Sequence, residues 1–132
     1  MESISQPPIT VSERDLGRLE SLVESPRWQH LPVVKALSAE LERAQVIADA
    51  DIGPDLVTMN STLTCVEEVS GREHTLTLCW PDEADAAKGK VSVLAPVGAA
   101  LLGLSVGQRI DWPGPDGRSL RLRVASVTHS AA

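Results

Sequence analysis

The hydrophobic pattern changes period once along the chain, near residue 55, and the change divides it in two. Before it, apolar residues recur at three- and four-residue spacing, the period of a helix with one buried face. Ser12 stands where an N-cap belongs. Asp15 follows three positions on, a variant of the capping box, and Val11 and Leu16 are spaced as a hydrophobic staple. Leu16, Leu19 and Val23 continue the stripe. Pro26 has no N–H to donate and disfavours helix at Ser25, so the first helix ends there. A loop over residues 26–31 leads to Pro32, at the favoured first position of a second helix. Val34, Leu37, Leu41, Ala44 and Ala48 form its narrow seam, and Asp49, Asp51, Gly53 and Pro54 end the pattern. Two such helices on a short loop should lie antiparallel, seam to seam. At ~1.5 Å per residue the hairpin is only about 24 Å long, and it must lean on the rest of the chain. Residues 1–10, with Pro7 and Pro8, read as a flexible lead.

From residue 56 the period is two. Strands are predicted over residues 57–69 and 74–80, around the turn Ser70-Gly71-Arg72-Glu73. His74, Leu76, Leu78 and Trp80 share one face, and Thr75, Thr77 and Cys79 the other. A polar loop over residues 81–88 precedes a short strand at 90–94, a short helix at 96–102 ended by Gly103, and a last hairpin. That hairpin joins residues 108–112 to 118–127 across Pro113-Gly114-Pro115-Asp116-Gly117, with Leu120, Leu122 and Val124 pointing one way and Arg121 and Arg123 the other. The fold class is α+β. A helical hairpin over residues 1–54 precedes a second unit, residues 55–132, built as an antiparallel sheet on one short helix.

Composition narrows the function classes. Hydrophobic residues make up 42% of the 132, enough for a core, yet there are three Trp and neither Phe nor Tyr. The core must therefore be aliphatic, which disfavours ligand pockets with aromatic walls. A net charge of −6 gains nothing from counterion release on a phosphate backbone, so a protein partner with a basic surface is expected rather than nucleic acid. The N-terminus lacks the basic and apolar regions of a signal peptide, and no apolar run approaches the ~20 residues that span a bilayer. A cytoplasmic monomer without cofactor or membrane contact is the expectation.

Several motifs suggest chemistry and have plainer explanations. Gly103-Leu104-Ser105-Val106-Gly107 fits the G-x-S-x-G pattern, but a nucleophile elbow needs a strand before the serine and a helix after it, and here the order is reversed. A tight helix-to-strand turn accounts for it. Cys65 and Cys79 lie across a possible hairpin, but they have no zinc spacing and read as buried small hydrophobes. Asp82, Glu83 and Asp85 form an acidic loop best read as solvated. Glu24, Arg27, Trp28 and His30 occupy the hairpin tip, where Trp28 should close the helix pair by packing. Arg121 and Arg123 read as protection of an edge strand.

The second half resembles the C-terminal domain of the GreA/GreB family. The resemblance rests on Trp80-Pro81-Asp82-Glu83-Ala84-Asp85, Lys90-Val91-Ser92-Val93, residues 95–103, Val106-Gly107 and residues 113–117, in that order. Nearly the whole chain is similar to the Rnk family, regulators of nucleoside diphosphate kinase. That likeness adds Leu31-Pro32, Ala39-Glu40-Leu41-Glu42-Arg43-Ala44-Gln45 and Asp55-Leu56-Val57-Thr58-Met59-Asn60-Ser61. It implies a short antiparallel coiled coil followed by an FKBP-like domain that docks on RNA polymerase at the rim of its secondary channel. In Gre factors acidic residues at the tip of the coiled coil help hold a catalytic metal for transcript cleavage. Here the hairpin is short and its tip offers Glu24 beside Arg27, whereas a hard cation needs convergent carboxylates. Docking without catalysis, in competition with Gre-type factors, is the expectation, with an effect on nucleoside diphosphate kinase level.

The docking residues implied are Ser92, Leu94, Ala95, Pro96, Val97 and Gly98, with Asp82 and Glu83 beside them. They would form an apolar knob flanked by acidic groups that suit a basic partner. Two rivals stand. One is a protein-interaction module acting independently of polymerase. The other is a prolyl isomerase, disfavoured because its apolar slot needs aromatic walls that a chain without Phe or Tyr does not easily build.

Overall fold

The computed structural model describes residues 9–113 and 119–129. Helix α1 (Glu13–Glu24) starts where the Ser12 hydroxyl accepts the Asp15 N–H at 3.2 Å, and it stops at Ser25, before Pro26. Pro32 opens α2 (Pro32–Glu42), and Val34, Leu37 and Leu41 are buried as its seam requires. The helix ends well before Ala48. Gln45–Ile47 form a strand, β2, paired in parallel with β1 (Thr10–Ser12). Two effects override the helical spacing: Gln45 donates its N–H to the Ile9 carbonyl at 2.8 Å, and the β-branched Val46 and Ile47 favour extended backbone. The end of the expected flexible lead is thus fixed. Ile9 is buried and Thr10 donates to the Gly103 carbonyl at 3.2 Å, while the first eight residues lie outside the described ones.

The five-stranded sheet comprises β3 (Thr62–Glu67), β4 (Glu73–Cys79), β5 (Lys90–Ser92), β6 (Arg109–Pro113) and β7 (Ser119–Thr128), in the order β5-β4-β3-β7-β6. With helix α3 (Pro96–Leu101) it gives the α+β class expected. The sheet is mixed rather than wholly antiparallel, because β5 pairs in parallel with β4. Two 3-10 turns, Pro81–Glu83 and Ala86–Lys88, carry the chain back so that Lys90 falls beside Thr77 and Ser92 beside Cys79. Asp85 caps the second turn by accepting the Ala87 N–H at 3.1 Å.

Three further expectations change. Val57 and Met59 are buried, as alternation requires, but residues 57–61 are not strand because their backbone groups bond elsewhere. Val57 donates to the Leu104 carbonyl at 2.8 Å, Thr58 to the Ser61 hydroxyl at 2.9 Å and Met59 to the Asp15 carboxylate at 3.1 Å. Secondly, β7 lies between β3 and β6, so Arg121 and Arg123 guard no edge. Arg121 pairs with Asp111 at 3.1 Å, and Arg123 and Arg109 approach Glu68 at 3.8 and 2.8 Å. Thirdly, Cys65 stands opposite His74 rather than Cys79. Of the turn predicted at 113–117, Pro113 ends β6 and residues 114–117 lie outside the described ones, as does the Leu120 side chain.

One core joins both halves of the chain. Leu19 from α1 and Leu37 from α2 belong to the same buried cluster as Leu63, Leu78, Val93, Leu101, Leu102 and Val124. Cys65 and Cys79 are both buried, and burial pushes the Cys65 thiol up to about 11. At α3 the aliphatic core is helped by close backbone approach: a side chain at Gly98 would drive its Cβ into the Ser92 carbonyl and against Leu78. Among the described residues no helix is long and apolar enough to cross a membrane.

Asp15 is the buried carboxylate of this core, only 5% exposed. Instead of closing a capping box, its Oδ2 accepts the Met59 N–H and ties α1 to the segment before β3. Burial raises its pKa above the ordinary 3.8, outweighing the Met59 hydrogen bond and the charge of Arg14, which lower it. The folded chain therefore holds the proton more tightly than the unfolded one. This group favours folding most below 3.8, and that contribution is lost as pH rises through the raised folded value.

Asp15→Ala should lower urea-unfolding stability at neutral pH by about 1–3 kcal/mol, because the buried Met59 N–H loses its acceptor. Asp15→Asn keeps an acceptor and removes the charge. Its stability relative to wild type should rise as pH goes from about 4 to about 7, and a flat difference would contradict the burial argument. Gly98→Ala should cost about 1–3 kcal/mol or more as α3 is forced off β5; an undiminished unfolding midpoint would show that the helix does not sit against the strand end.

Candidate functional site

The expected docking residues occupy the junction of β5 and α3. The Ser92 hydroxyl accepts the Leu94 N–H at 2.9 Å and its carbonyl accepts the Ala95 N–H at 2.9 Å, so the chain turns tightly from strand to helix. Ala95 keeps extended backbone as N-cap, its carbonyl accepts the Ala99 N–H at 2.9 Å, and Pro96 fills the first helical position. Leu94 and Gly98 are buried and shape the junction from within. Ser92, Ala95 and Val97 are half-buried and form the part of the knob that a partner can touch. The Pro96 side chain lies outside the described ones.

Hydrogen bonds wind the hairpin tip into a compact loop. Arg27 donates its N–H to the Ser25 hydroxyl at 3.3 Å, Trp28 to the Ser25 carbonyl at 3.1 Å, and Leu31 to the Trp28 carbonyl at 3.0 Å. Trp28 is half-buried and packs against the core, as a closing residue should. The Arg27 guanidinium covers its ring, 4.4 Å from the centroid. Glu24 and His30 are exposed, and the Glu24 carbonyl accepts the Gln29 side-chain amide at 3.0 Å.

The fold brings the two candidate regions together. Arg27 Nη2 lies 3.2 Å from Asp82 Oδ1, so the loop after β4 comes alongside the tip. The tip thus has a second carboxylate that spacing alone did not predict, and Arg27 engages it. Glu83 is exposed next to Asp82. Among the described residues, no group of three or more His, Cys, Asp or Glu side chains is placed to share a metal ion. Ser105 sits in the tight turn expected of it, its N–H donating to the Gln108 side chain at 2.7 Å and its carbonyl accepting the Gln108 N–H at 3.0 Å.

Hollows beyond the junction and the tip are not evident from the hydrophobic spacing. An apolar groove of about 390 Å³ lies between α2 and α3, lined by Val33, Ala36, Ala99 and Ala100 among others. Val33 and Ala36, spaced i and i+3 beside the main seam of α2, were the signal for it. A polar cleft lies between α1 and the segment before β3, with Trp80 and His129 beside it, and Arg14 and Arg18, at i and i+4, were the signal there.

Residues 52–129 match the family model of the C-terminal part of the transcription elongation factors GreA/GreB, and residues 7–47 match that of the Rnk N-terminus. Over 126 residues the chain is 38% identical to the regulator of nucleoside diphosphate kinase of Escherichia coli, covering 96% of this chain and 93% of that protein. It is 37% identical over 92 residues to the transcription elongation factor GreA of Syntrophomonas wolfei, which takes in 70% of this chain and 57% of GreA. The solved structure of a transcription elongation factor GreA/GreB from Nitrosomonas europaea superposes with a TM-score of 0.80 at 45% identity, covering 94% of this chain and 100% of that one. The relatives are regulators and transcription factors. With a family match over more than half its length, the chain belongs to the GreA/GreB family, as a regulator that joins an Rnk-type N-terminal segment to the family's C-terminal domain.

Proposed function

We propose that the chain is a non-catalytic regulator of transcription that binds RNA polymerase near the secondary channel and competes there with Gre-type factors. A changed level of nucleoside diphosphate kinase would follow from that binding. The observation that carries this reading is the 3.2 Å contact of Arg27 with Asp82. It sets the hairpin tip beside the acidic loop that leads into β5, and β5 itself packs against the turn Pro81–Glu83. The half-buried Ala95 and Val97 follow β5, and the exposed carboxylates of Asp82 and Glu83 belong to the turn Pro81–Glu83 before it. A small apolar patch with acidic neighbours suits a basic protein surface, with charge governing encounter and apolar contact governing residence.

The helices support docking without cleavage. At ~1.5 Å per residue the 12 residues of α1 extend about 18 Å and the 11 of α2 about 16 Å, a short reach for a probe that must enter a channel. At the tip Asp82 is paired with a guanidinium, which lessens its value as a ligand for a hard cation.

The test is competition for core RNA polymerase. The chain should bind polymerase and be displaced by GreA, and backtracked complexes given the chain should keep their transcripts intact. Asp82→Lys combined with Glu83→Lys should weaken binding about tenfold or more. Exposed pairs contribute only about 0–1 kcal/mol, so the unfolding midpoint should stay close to wild type. Failure to bind polymerase, or binding that GreA does not displace, would overturn the docking site; transcript cleavage at the rate of a Gre factor would overturn the non-catalytic role.

A further inference from the structure

The polar cleft lies between α1 and the segments that precede β3 and follow β4 and β7, and has a volume of about 330 Å³. Arg14 and Arg18 line it from one face of α1. Arg18 sits over the Trp80 ring, 4.1 Å from its centroid. A guanidinium held over a ring is fixed in orientation while its N–H edge stays open to an oxyanion. Arg14 is exposed, with Nε 4.0 Å from Asp15 Oδ1, while its backbone N–H goes to Asp49 at 3.1 Å. Two like charges one helical turn apart repel; the charges of both already act on Asp15 beside them, and an anion bridging the two guanidiniums would offset what remains of that cost.

A second hollow of about 450 Å³ continues from the first, because Asn60 and His129 line both. Asn60 holds the left-handed conformation, φ 69, at the point where the two meet. The wall of the second hollow is a row of polar side chains across the outer face of the sheet. Lys90, Thr77, Thr62 and Thr128 stand at adjacent register positions on β5, β4, β3 and β7. The Thr62 and Thr77 hydroxyls are 2.7 Å apart. In a chain of net charge −6, Arg14, Arg18 and Lys90 all face this one trough, against Asp15 and Glu83, and His129 lines it with Nε2 held 2.7 Å from the Leu56 carbonyl.

We propose that the trough binds a small phosphate ester with pendant hydroxyls. The phosphate bridges Arg14 and Arg18, and the polar body lies over the threonine row. Phosphate matches the planar guanidinium fork, and the joined hollows suit a ligand of sugar-phosphate to nucleotide size. Such a ligand would touch α1 through its phosphate and the sheet through its hydroxyls, so it would tie the helical segment to the rest of the protein.

The full chain should be titrated with ribose 5-phosphate, inorganic phosphate and ribose in parallel, followed by calorimetry and by thermal unfolding. Saturable binding of ribose 5-phosphate is expected, with a rise in Tm that grows with ligand concentration. Inorganic phosphate should bind more weakly and ribose not at all. Arg14→Gln and Arg18→Gln should each weaken ribose 5-phosphate about tenfold. Thr62→Val with Thr77→Val, a pair that keeps the arginines and the side-chain shape, should bring its affinity down to that of inorganic phosphate. No saturable binding, equal affinity for inorganic phosphate and the ester in wild type, or indifference to both arginine substitutions overturns the proposal.

Discussion

The structure depends on one hydrogen bond between a carboxylate at the start of a helix and a backbone amide 44 positions later, Asp15 to Met59. Removing a carboxylate from water is costly unless it finds donors. Here the donor lies in a segment that is itself held on every side. Asn60 donates to the Leu78 carbonyl at 2.6 Å, Leu78 donates to the Ser61 carbonyl at 2.9 Å, and Gly103 donates to the Val57 carbonyl at 3.0 Å. Met59 therefore offers its N–H from a rigid loop, and α1 is positioned against that loop rather than merely resting on the sheet. The direction of the hairpin, and with it the place where Arg27 meets Asp82, follows from this anchor.

The absence of Phe and Tyr shapes the packing around it. Leu and Val fill less space than aromatic rings, so elements must come closer for the interior to be dense. The glycines supply that closeness. Gly98 lets α3 rest on the Ser92 carbonyl, and Gly103, at φ 80, brings the chain against Ile9 and Thr10. Backbone contacts do what large side chains do elsewhere, which leaves the outer face of the sheet free to carry threonines.

The local rules written in the sequence hold well. Ser12 caps, Pro26 stops, Pro32 starts, Gly103 terminates, and the alternation in β3 and β4 places Leu63, Cys65 and Leu78 inside. Long-range hydrogen bonds account for the failures. Nothing in the period of Val57 and Met59 tells that Asp15 and Leu104 will claim their amides, and nothing near Gln45 tells that Ile9 will accept from it. The site divides the same way. The residues at the β5–α3 junction are contiguous and could be picked out by motif, although Leu94 and Gly98 turn inward. The meeting of tip and acidic loop, and the trough shared by α1 and four strands, exist only through tertiary folding.

The parallel pairing of β1 with β2 closes the helical segment at its base. The strand leading into α1 is bonded on one side to Gly103 and on the other to the strand that follows α2. The root of the arm is thus welded to the globular part independently of how far the arm extends. Whole turns could be added or removed at the far end in evolution without disturbing the mount. A scaffold of this kind leaves the length of its arm free to vary while the mount stays the same.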